Sequence, residues 1–270
     1  MVLFPNAKIN LGLSVLQKRD DGFHNIETIL YPIPINDALE LIIAPDKNFT
    51  LTVSGLQIPG NTKTNLCVKA WELFQHDFNL PAVKIHLCKV IPMGAGLGGG
   101  SSDGAFMLKL IDREFQLGLS NEKLEEYARR LGSDCAFFIK NKPVFAFGKG
   151  DRLSSVNIDL SGYFLVLAKP DAHINTKGAY SGIMPKTPEI SVGQTVQLPV
   201  EEWRDNLNND FEKSIFQSHP KLSEIKERLY QTGAVYASMT GSGSAVYGLF
   251  NDEVDLGDSF EDHYYWSGWL

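Results

Sequence analysis

The chain has 270 residues, of which 43% are hydrophobic and 21% are charged, and its formal net charge is −7 at pH 7. This composition is typical of a globular protein and provides enough apolar surface for one large domain or two modest ones. The acidic balance argues against a nucleic-acid-binding surface, which requires clustered lysine and arginine side chains.

The first predicted strand carries two polar side chains on one face. Ile9, Leu11 and Leu13 alternate along it with Lys8 and Asn10. The period of two places Lys8 and Asn10 side by side, opposite the apolar residues. The pair could bind one ligand together, although the pattern alone favours a solvated polar face.

A turn and further strands follow the first strand. Residues 20–22 (DDG) predict a turn, after which Phe23 and His24 begin an exposed stretch. Three more segments have the character of strands: 26–33, 38–44 and 49–55. We therefore predict a mostly antiparallel sheet in this part of the chain.

A helix is predicted from Asn65 and Leu66 onward, with Leu73 and Phe74 on its apolar face. Most of this helix is expected to pack in the core. Lys89 follows a strand predicted over 83–88, and its position is also that of an ordinary solvated strand residue.

A glycine-rich run separates that strand from the next predicted helix. Five of the seven residues 94–100 (GAGLGGG) are glycines, and Ser101, Ser102 and Asp103 follow. Glycines permit positive φ and close approach, so successive N–H groups can point at one oxyanion beside a helix N-terminus. The run therefore predicts a phosphate-binding loop, with these three polar residues as the cap of the helix.

Alternative loop types fit the glycine run less well. A flexible linker rarely continues directly into an apolar helix. A Walker loop requires a lysine directly after its second spaced glycine, and here Gly94 and Gly99 are followed by Gly100 and Ser101. The dinucleotide fingerprint is matched over 94–99, but no second strand ending in an acidic residue follows. A protein-kinase loop would be followed by a lysine-bearing strand and His-Arg-Asp, and the sequence has neither.

Asp134 lies where one predicted helix ends and another begins. The helix that contains Leu124 and Leu131 is predicted to stop at Gly132 in the left-handed conformation, and 133–139 to form a second helix. From the pattern alone, an N-cap explains Asp134 better than catalysis does.

The C-terminal part is predicted to form a domain of its own. The glycine pair around Lys149 marks a boundary that divides the chain into domains 1–150 and 151–270. Its predicted elements are a strand over 163–168, a surface loop over 182–204, a helix from Pro220 to before Gly233, and strands over 234–239 and 245–250 joined by a hairpin loop. The acidic residues of the tail are expected to be solvated, and its aromatic residues to pack against a sheet.

Cysteine usage and hydropathy bear on location. Cys67, Cys88 and Cys135 are odd in number and lack C-x-x-C spacing, so neither a disulfide framework nor a zinc site is predicted. We expect a reducing cytoplasm. The N-terminus has no basic region followed by an apolar run, and the longest strongly apolar stretch, 163–168, is too short to cross a bilayer, so we expect no targeting segment and no membrane span.

Three segments together resemble the GHMP kinases, which phosphorylate small metabolites. Residues 92–103 (PMGAGLGGGSSD) are closely similar to the phosphate loop of that family, and 7–11 (AKINL) and 239–245 (MTGSGSA) are similar to its other two motifs, in the same order. The resemblance spans nearly the whole chain. It implies an α+β, two-domain fold, with an N-terminal domain like ribosomal protein S5 domain 2 and a ferredoxin-like C-terminal domain.

Within that family, residues 20–24 (DDGFH) and 131–135 (LGSDC) are most similar to the branch whose acceptor is a cytidine-diphosphate-linked methylerythritol. The resemblance implies that Phe23 stacks on the cytosine, although many relatives have Tyr there, and that His24 binds the edge of the base. Tyr180 would be the second aromatic over the cytosine. The further residues implied on the acceptor side are Asn10, Thr176, Gly241 and Ser242.

The resemblance also changes the interpretation of Lys8 and Asp134. It implies that the Lys8 ammonium lies close to the accepting hydroxyl and stabilises the charge of the transferring phosphoryl group. Asp134 would accept the hydroxyl proton, kept ionised by Lys8, or would only orient the hydroxyl. Asp103 is expected to be a helix cap and not a second base.

ATP is the implied phosphoryl donor, with Mg²⁺ carried on the nucleotide and no dedicated metal cluster. The implied nucleotide-binding residues are Asn65, Leu66, Lys89, Pro92, Gly94, Gly96, Leu97, Gly98, Gly99, Gly100, Ser101 and Ser102. Two alternatives stay open: a GHMP kinase of the mevalonate or homoserine type, and a non-catalytic nucleic-acid-binding module of the same fold. The net charge and the complete glycine loop argue against the second.

Overall fold

The protein is described by a computed structural model that covers residues 1–58, 60–172 and 174–270. Its strands, in chain order, are β1 (Val2–Leu3), β2 (Asn6–Lys18), β3 (His24–Asn36), β4 (Ala38–Ile43), β5 (Thr50–Gly55), β6 (Val83–Lys89), β7 (Val144–Gly148), β8 (Arg152–Ser155), β9 (Phe164–Lys169), β10 (Tyr236–Met239), β11 (Val246–Phe250) and β12 (Tyr264–Trp269). Its helices are α1 (Leu66–Phe78), α2 (Gly99–Glu114), α3 (Asn121–Leu131), α4 (Phe137–Lys140), α5 (Thr176–Ser181), α6 (Val192–Thr195), α7 (Trp203–Asn206), α8 (Asp210–Ser218) and α9 (Pro220–Gln231).

One compact unit comprises residues 1–7, 35–93 and 98–142. Its sheet has the strand order β1-β4-β6-β5, antiparallel except between β5 and β6. Val83, Ile85 and Leu87 of β6 are buried, as their alternation predicted, and helix α2 packs against α1 and β4. The predicted succession of strand, glycine loop and helix is confirmed, with the loop leaving an interior strand of the sheet.

A second compact unit comprises residues 8–34, 94–97 and 143–270, and contains the sheets β2-β3-β7-β8 and β10-β11-β9-β12. Strand β2 is buried on both faces from Asn6 to Leu13. Lys8 and Asn10, each 4% exposed, therefore lie on one buried face, and the solvated alternative is wrong. Both side chains must be held by polar partners there, because burial removes their contacts with water.

The core of the second unit forms between the sheet around β9 and helices α8 and α9. Helix α9 turns Leu222, Ile225 and Leu229 inward, which confirms the predicted amphipathic helix after Pro220. Val166 of β9 and Val246 of β11 lie in the same cluster of buried residues.

Two predictions for the C-terminal part are corrected. Residues 182–204, predicted as a surface loop, contain helix α6 and the start of α7, and Trp203 there is 1% exposed. The aromatic tail forms strand β12, which pairs with β9 at the edge of the sheet, and does not merely pack against a sheet.

The two compact units alternate along the chain, whereas the sequence-based division cuts the chain once, into 1–150 and 151–270. That division stays a prediction. Among the helices of the described ranges, none has both the length and the apolar composition of a membrane span.

Candidate active site

The glycine loop is a tight backbone turn that only glycine fits at two decisive positions. Gly96 has φ 76°, and a Cβ there would lie 2.0 Å from the carbonyl oxygen of Thr240. Gly98 has φ 70° and stands in the left-handed conformation directly before helix α2. Ala95, before Gly96, and Leu97, between the two glycines, are buried and fasten the loop to the protein. The loop is thus a fixed backbone structure and not a linker.

Helix α2 begins before the polar residues that were expected to cap it. Its first residue is Gly99 and its N-cap is Gly98, which makes no side-chain hydrogen bond. The prediction that Ser101, Ser102 and Asp103 cap the helix is wrong, because all three lie within it. Ser102 N–H is bonded to the Gly98 carbonyl at 2.9 Å, so the earlier N–H groups of the first turn are those that a helix leaves without intrahelical partners. Such a first turn favours an anion.

The remaining predicted loop residues line the same turn. Pro92 is buried and precedes the loop, Gly94 has φ 64°, and a Cβ on Gly100 would meet nothing closer than 3.9 Å. Within the part of the chain that the structure describes, the buried Ser102 hydroxyl has no hydrogen-bond partner. The first turn of α2 therefore contains an uncommitted hydroxyl as well as backbone donors.

Lys89 is buried beneath this turn and is not a solvated strand residue. Its Nζ donates to Asp37 Oδ2 at 2.5 Å and to Asp103 Oδ2 at 2.8 Å, and its side chain is 0% exposed. A Cβ on Gly99 would lie 3.3 Å from the same ammonium. Burial lowers the pKa of Lys89, but the carboxylates of Asp103 and Asp37 outweigh it and raise that pKa above its usual value, so the lysine is charged. Lys89 supports the loop from below.

The start of helix α1 packs beside the first turns of α2. Asn65 is the N-cap of α1, and its Oδ1 accepts from Cys67 N–H at 2.8 Å. A Cβ on Gly104 would lie 2.9 Å from Leu66 Cβ, so the two helices approach closely at this point. The predicted helix start is confirmed, and it lies on the same side of the unit as α2.

Asp134 lies on a turn between helices and caps neither of them. Helix α4 begins at Phe137, and its N-cap, Ala136, makes no side-chain hydrogen bond. The prediction of an N-cap role for Asp134 is therefore wrong, as is the left-handed conformation predicted for Gly132, which is extended with φ 174°. Asp134 is partly buried and accepts from Ser133 Oγ at 3.3 Å.

The turn that carries Asp134 is joined to helix α2. Cys135, the residue after Asp134, is buried, and helix α4, which follows it, packs against α2. Burial raises the pKa of the Cys135 thiol to about 12, so this cysteine is a neutral packing group. Lys109 of α2 adds a bond to the Phe138 carbonyl at 3.1 Å. Asp134 is thereby held next to the helix whose first turn is the candidate phosphate site.

Lys8 and Asn10 form the centre of a second polar network. Lys8 Nζ donates to Asn10 Oδ1 at 2.5 Å and to the Gly96 carbonyl at 2.8 Å. Lys8 N–H also donates to the Leu97 carbonyl at 2.9 Å. Asn10 Nδ2 donates to Thr28 Oγ1, which fixes the orientation of the amide. The predicted pairing of Lys8 with Asn10 is confirmed, and both side chains are bonded to the glycine-loop segment or to its neighbours.

The third motif segment packs on the same network. Thr240 Oγ1 donates to the Gly96 carbonyl at 3.0 Å and accepts from Asn10 N–H at 3.0 Å. Ala245 N–H donates to the Ala95 carbonyl at 3.1 Å. The segment 240–244 is therefore more than a hairpin loop, because it closes over residues 94–97 through direct hydrogen bonds.

Two residues that hold this segment were missed from the sequence. Asn209 Nδ2 donates to the carbonyls of Met239 and Gly241 at 2.7 and 2.8 Å, while its Oδ1 caps helix α8. Glu212 Oε1 accepts from Met239 N–H at 2.8 Å, and its Oε2 accepts from Lys226. The run Asn208-Asn209-Asp210 before an apolar helix did signal a cap, but a cap alone does not indicate contact with a segment 30 residues away.

Of the three aromatic residues predicted around the acceptor, two contact each other and one does not. His24 and Tyr180 stack directly on each other, with ring centroids 4.8 Å and planes 13° apart, and Phe211 packs edge-on against Tyr180. Phe23 is 59% exposed, with Lys149 Nζ 5.0 Å from its ring centroid. The structure thus brings His24 and Tyr180 together and leaves Phe23 open to solvent.

Thr176 and Ser242, predicted on the acceptor side, lie next to each other. Their hydroxyls are 3.1 Å apart, which links the start of α5 to the third motif segment. Gly241 has φ 57°, and a Cβ there would lie 3.3 Å from Asn10 Oδ1. Gly241 therefore contacts the Lys8–Asn10 network as well.

Each of these groups, taken by itself, is of a kind that phosphoryl transfer uses. A helix N-terminus can bind phosphate, a buried lysine can stabilise charge on a transferring group, and a partly buried carboxylate can accept a proton. In residues 1–58, 60–172 and 174–270, no cluster of three or more His, Cys, Asp or Glu side chains is arranged to hold a metal ion.

Comparison with known proteins gives a consistent result. The family models of the GHMP kinases N terminal domain and the GHMP kinases C terminal match residues 65–142 and 197–260. A 4-diphosphocytidyl-2-C-methyl-D-erythritol kinase of Bacteroides fragilis (strain YCH46) is 56% identical over 258 residues, covering 95% of this chain and 94% of the relative.

Solved structures agree on the architecture. A crystal structure of 4-(cytidine 5'-diphospho)-2C-methyl-D-erythritol kinase superposes with a TM-score of 0.79 at 31% identity, covering 92% of this chain and 90% of that one. The mevalonate kinase of Methanococcus jannaschii superposes with a TM-score of 0.72, covering 99% of this chain and 97% of that one, but at 14% identity this likeness concerns the fold alone. The predicted α+β class is confirmed.

Proposed function

The chain belongs to the GHMP kinase family, and we propose that it transfers the γ-phosphate of ATP to the 2-hydroxyl of 4-diphosphocytidyl-2-C-methyl-D-erythritol, a step in non-mevalonate isoprenoid precursor synthesis. The choice of acceptor is supported by relatives of that activity at up to 56% identity over 95% of the chain. The kinase chemistry is supported chiefly by the glycine loop and the helix that follows it. The loop ends at Gly98 in the left-handed conformation, and helix α2 then begins without a side-chain cap on its first turn.

The nucleotide phosphates bind this first turn. Its backbone N–H groups and the uncommitted Ser102 hydroxyl supply hydrogen-bond donors for phosphate oxygens. Mg²⁺ enters on the nucleotide as part of the substrate and neutralises charge between the phosphates. Asn65 and Leu66, at the start of α1 beside Gly104, border the nucleotide, and Lys89 contributes from beneath the loop.

The charge of the transferring phosphoryl group is stabilised by Lys8. Its ammonium is held by Asn10 and the Gly96 carbonyl, so its position is fixed before any ligand arrives. Electrostatic stabilisation by a preorganised group is the main source of catalysis in phosphoryl transfer. Asn10 orients the lysine and lies on the acceptor side.

Asp134 acts on the accepting hydroxyl. Its carboxylate caps no helix, and the short helix after its turn is bonded to α2 through Lys109 and the Phe138 carbonyl. A carboxylate so placed accepts the hydroxyl proton as the phosphoryl group is transferred. The same contact also orients the hydroxyl for attack, which suffices when the transition state is loose.

The cytidine of the acceptor is bound by the aromatic group of Phe23, His24 and Tyr180. Flat aromatic faces suit stacking with a base, and an imidazole suits hydrogen bonding to its polar edge. Thr176, Gly241 and Ser242 provide further polar contacts on this side, supported by the 3.1 Å approach of the two hydroxyls. The division of the chain into kinase domains 1–150 and 151–270 belongs to the same proposal.

The cellular setting is proposed to be the cytoplasm. Cys67, Cys88 and Cys135 are all free thiols, which fits a reducing compartment.

A substrate panel tests the function. The purified protein is incubated with Mg·ATP and, separately, the cytidyl acceptor, mevalonate and homoserine, and ADP release is measured. We expect turnover with the cytidyl acceptor alone. Turnover of mevalonate or homoserine without turnover of the cytidyl compound would replace this acceptor, and salt-sensitive RNA binding without ATP turnover would favour a binding module.

A further inference from the structure

A cluster of three buried charged side chains lies directly under the phosphate loop. Lys89, at the end of β6, bonds both Asp37 and Asp103, at 2.5 and 2.8 Å. The exposed fractions of the three side chains are 0%, 0% and 4%. Charges removed from water to this degree persist only when they are paired and hydrogen-bonded, so the cluster is a built feature of the fold.

The cluster holds both ends of the loop. Asp37 Oδ1 accepts from the N–H groups of Val90 and Ile91, which lead from the strand into the loop. Asp103 belongs to helix α2, which leaves the loop. The Lys89 ammonium joins the two carboxylates and lies 3.3 Å from where a Cβ of Gly99 would be. The cluster thus fixes the backbone that leads into the loop and the helix that leaves it.

The cluster carries one negative charge in excess when both carboxylates are ionised. Asp37 is fully hydrogen-bonded through both oxygens. By contrast, Asp103 Oδ1 is buried without a hydrogen-bond partner among the described residues. Burial, with the neighbouring Asp37 charge, raises the pKa of Asp103 to about 7 against the opposing effect of Lys89. The buried Cys67 thiol of α1 also faces the cluster, and its pKa is raised well above its usual value by burial and by the Asp103 charge.

We propose that Asp37, Lys89 and Asp103 form a positioning cluster for the phosphate loop, and that Asp103 takes up a proton from solvent when nucleotide phosphate binds above it. The proposal rests on the proposed function, in which this loop holds the nucleotide. An anion at the first turn of α2 raises the energy of the excess negative charge beneath it, and one proton on Asp103 neutralises the cluster. No covalent bond forms or breaks between heavy atoms; the proton moves from water or buffer to the carboxylate.

Proton uptake on binding makes nucleotide affinity depend on pH in one direction. A group that is protonated more fully in the bound state makes binding tighter at low pH, and affinity falls as pH rises through the pKa of the free protein. Nucleotide affinity should therefore be greatest below pH 7 and fall about fivefold between pH 6 and pH 8, if binding raises the Asp103 pKa by about one unit.

Calorimetric titration with Mg·ADP measures this directly, because ADP needs neither turnover nor acceptor. Proton uptake is obtained from titrations in two buffers of different ionisation enthalpy at pH 7.5. Asp103→Asn keeps an oxygen for Lys89 and removes the titration. Asp112→Asn, which changes a carboxylate to an amide on the same helix and keeps the oxygen that accepts from Leu119, is the matched control. We expect wild type and Asp112→Asn to take up about half a proton more than Asp103→Asn, which should also lack the fall in affinity.

Equal proton uptake and equal pH dependence in wild type and Asp103→Asn would overturn the proposal. The titration of the nucleotide itself is common to all variants and cancels in this comparison. If Asp103→Asn fails to fold, the wild type alone decides: an uptake that does not rise between pH 5.5 and pH 7.5 contradicts the proposal. The titration contains no acceptor, so its result does not depend on the proposed acceptor specificity. Failure of the proposed function and failure of the proton-uptake proposal can therefore be told apart.

Discussion

The imidazole of His24 and the phenol ring of Tyr180 stack face to face, with centroids 4.8 Å apart. That spacing leaves no room for a base between the two rings. Phe211 packs edge-on against Tyr180 and fixes its orientation. In the proposed complex, the cytosine therefore stacks on an outer face of this pair, or enters by separating it, with the exposed ring of Phe23 as a further stacking surface.

The aromatic group gives the first prediction. Phe23→Ala, His24→Ala and Tyr180→Ala should each raise the KM of the cytidyl acceptor about tenfold, because stacking on an aromatic ring contributes about 1–3 kcal/mol per base. The KM of ATP should barely change. Phe4→Ala, which removes another exposed phenylalanine, is the control and should leave both constants unchanged. Three variants with an unaltered acceptor KM would show that the base binds elsewhere.

The second prediction concerns Asp134. Asp134→Asn should lower kcat by about 10²–10⁴, with the KM of ATP nearly unchanged, because it removes a proton acceptor and keeps the shape of the side chain. Its thermal midpoint should equal that of wild type, since Asp134 caps no helix.

Stability separates the possible outcomes for this variant. Loss of a cap costs about 1 kcal/mol, so a lower midpoint with normal turnover would return Asp134 to a structural role. Asp252→Asn, at an exposed acidic position of the tail, serves as the charge-matched control.

The third prediction concerns Lys8. Lys8→Met should lower kcat by about 10²–10³ while ADP binding, measured calorimetrically, stays within about threefold of wild type. Methionine fills most of the same space, so the loss is one of charge and hydrogen bonding. Lys18→Met, at the exposed end of the same strand, is the control and should leave kcat and ADP binding unchanged. A Lys8→Met enzyme with near-normal kcat would remove the lysine from the mechanism.

The fourth prediction separates two roles of Asn209. Asn209→Asp keeps an oxygen to cap α8, but replaces the donor to the Met239 and Gly241 carbonyls with a repelling oxygen. We expect the variant to lose about 1–3 kcal/mol of stability and to bind the acceptor about tenfold more weakly. Asn251→Asp, at an exposed position after β11, is the control. Wild-type acceptor binding in Asn209→Asp would mean that segment 240–244 does not depend on this clamp.

The fifth prediction uses two glycines of one loop. Gly96→Ala places a methyl group 2.0 Å from the Thr240 carbonyl oxygen at a position whose φ is positive. The methyl group of Gly100→Ala has its nearest neighbour, Met93 Cε, at 3.9 Å. The first variant should lose about 2 kcal/mol or more of stability together with its activity. The second should fold normally, so that any loss appears in the KM of ATP. Equal unfolding temperatures for the two variants would contradict the described loop.

Local chemistry was predictable where the determinants are adjacent in sequence. The glycine run, the alternation of Lys8 with Ile9, and the helix after Pro220 were all anticipated, because period and backbone freedom are local properties. The caps were not: Gly98 in the left-handed conformation starts α2 without a polar side chain, and Asp134 precedes a helix that it does not cap.

Burial of charge escaped prediction for a different reason. Lys89 has its partners 14 and 52 residues away, and a strand lysine gives no local sign of them. Likewise, a pattern of residues could have indicated a cap at Asn209, but its two carbonyl partners depend on how the sheet around β10 packs. Such contacts are fixed by tertiary structure and not by residue pattern.

In the proposed function, this kinase recognises its acceptor through the cytidine. The most direct measurement is the ratio of kcat/KM for 4-diphosphocytidyl-2-C-methyl-D-erythritol to that for the same methylerythritol phosphate without its cytidine group. We expect a ratio of about 30 or more, since stacking and edge contacts each contribute more than about 1 kcal/mol. A ratio near one, with ATP consumed equally in both reactions, would contradict it.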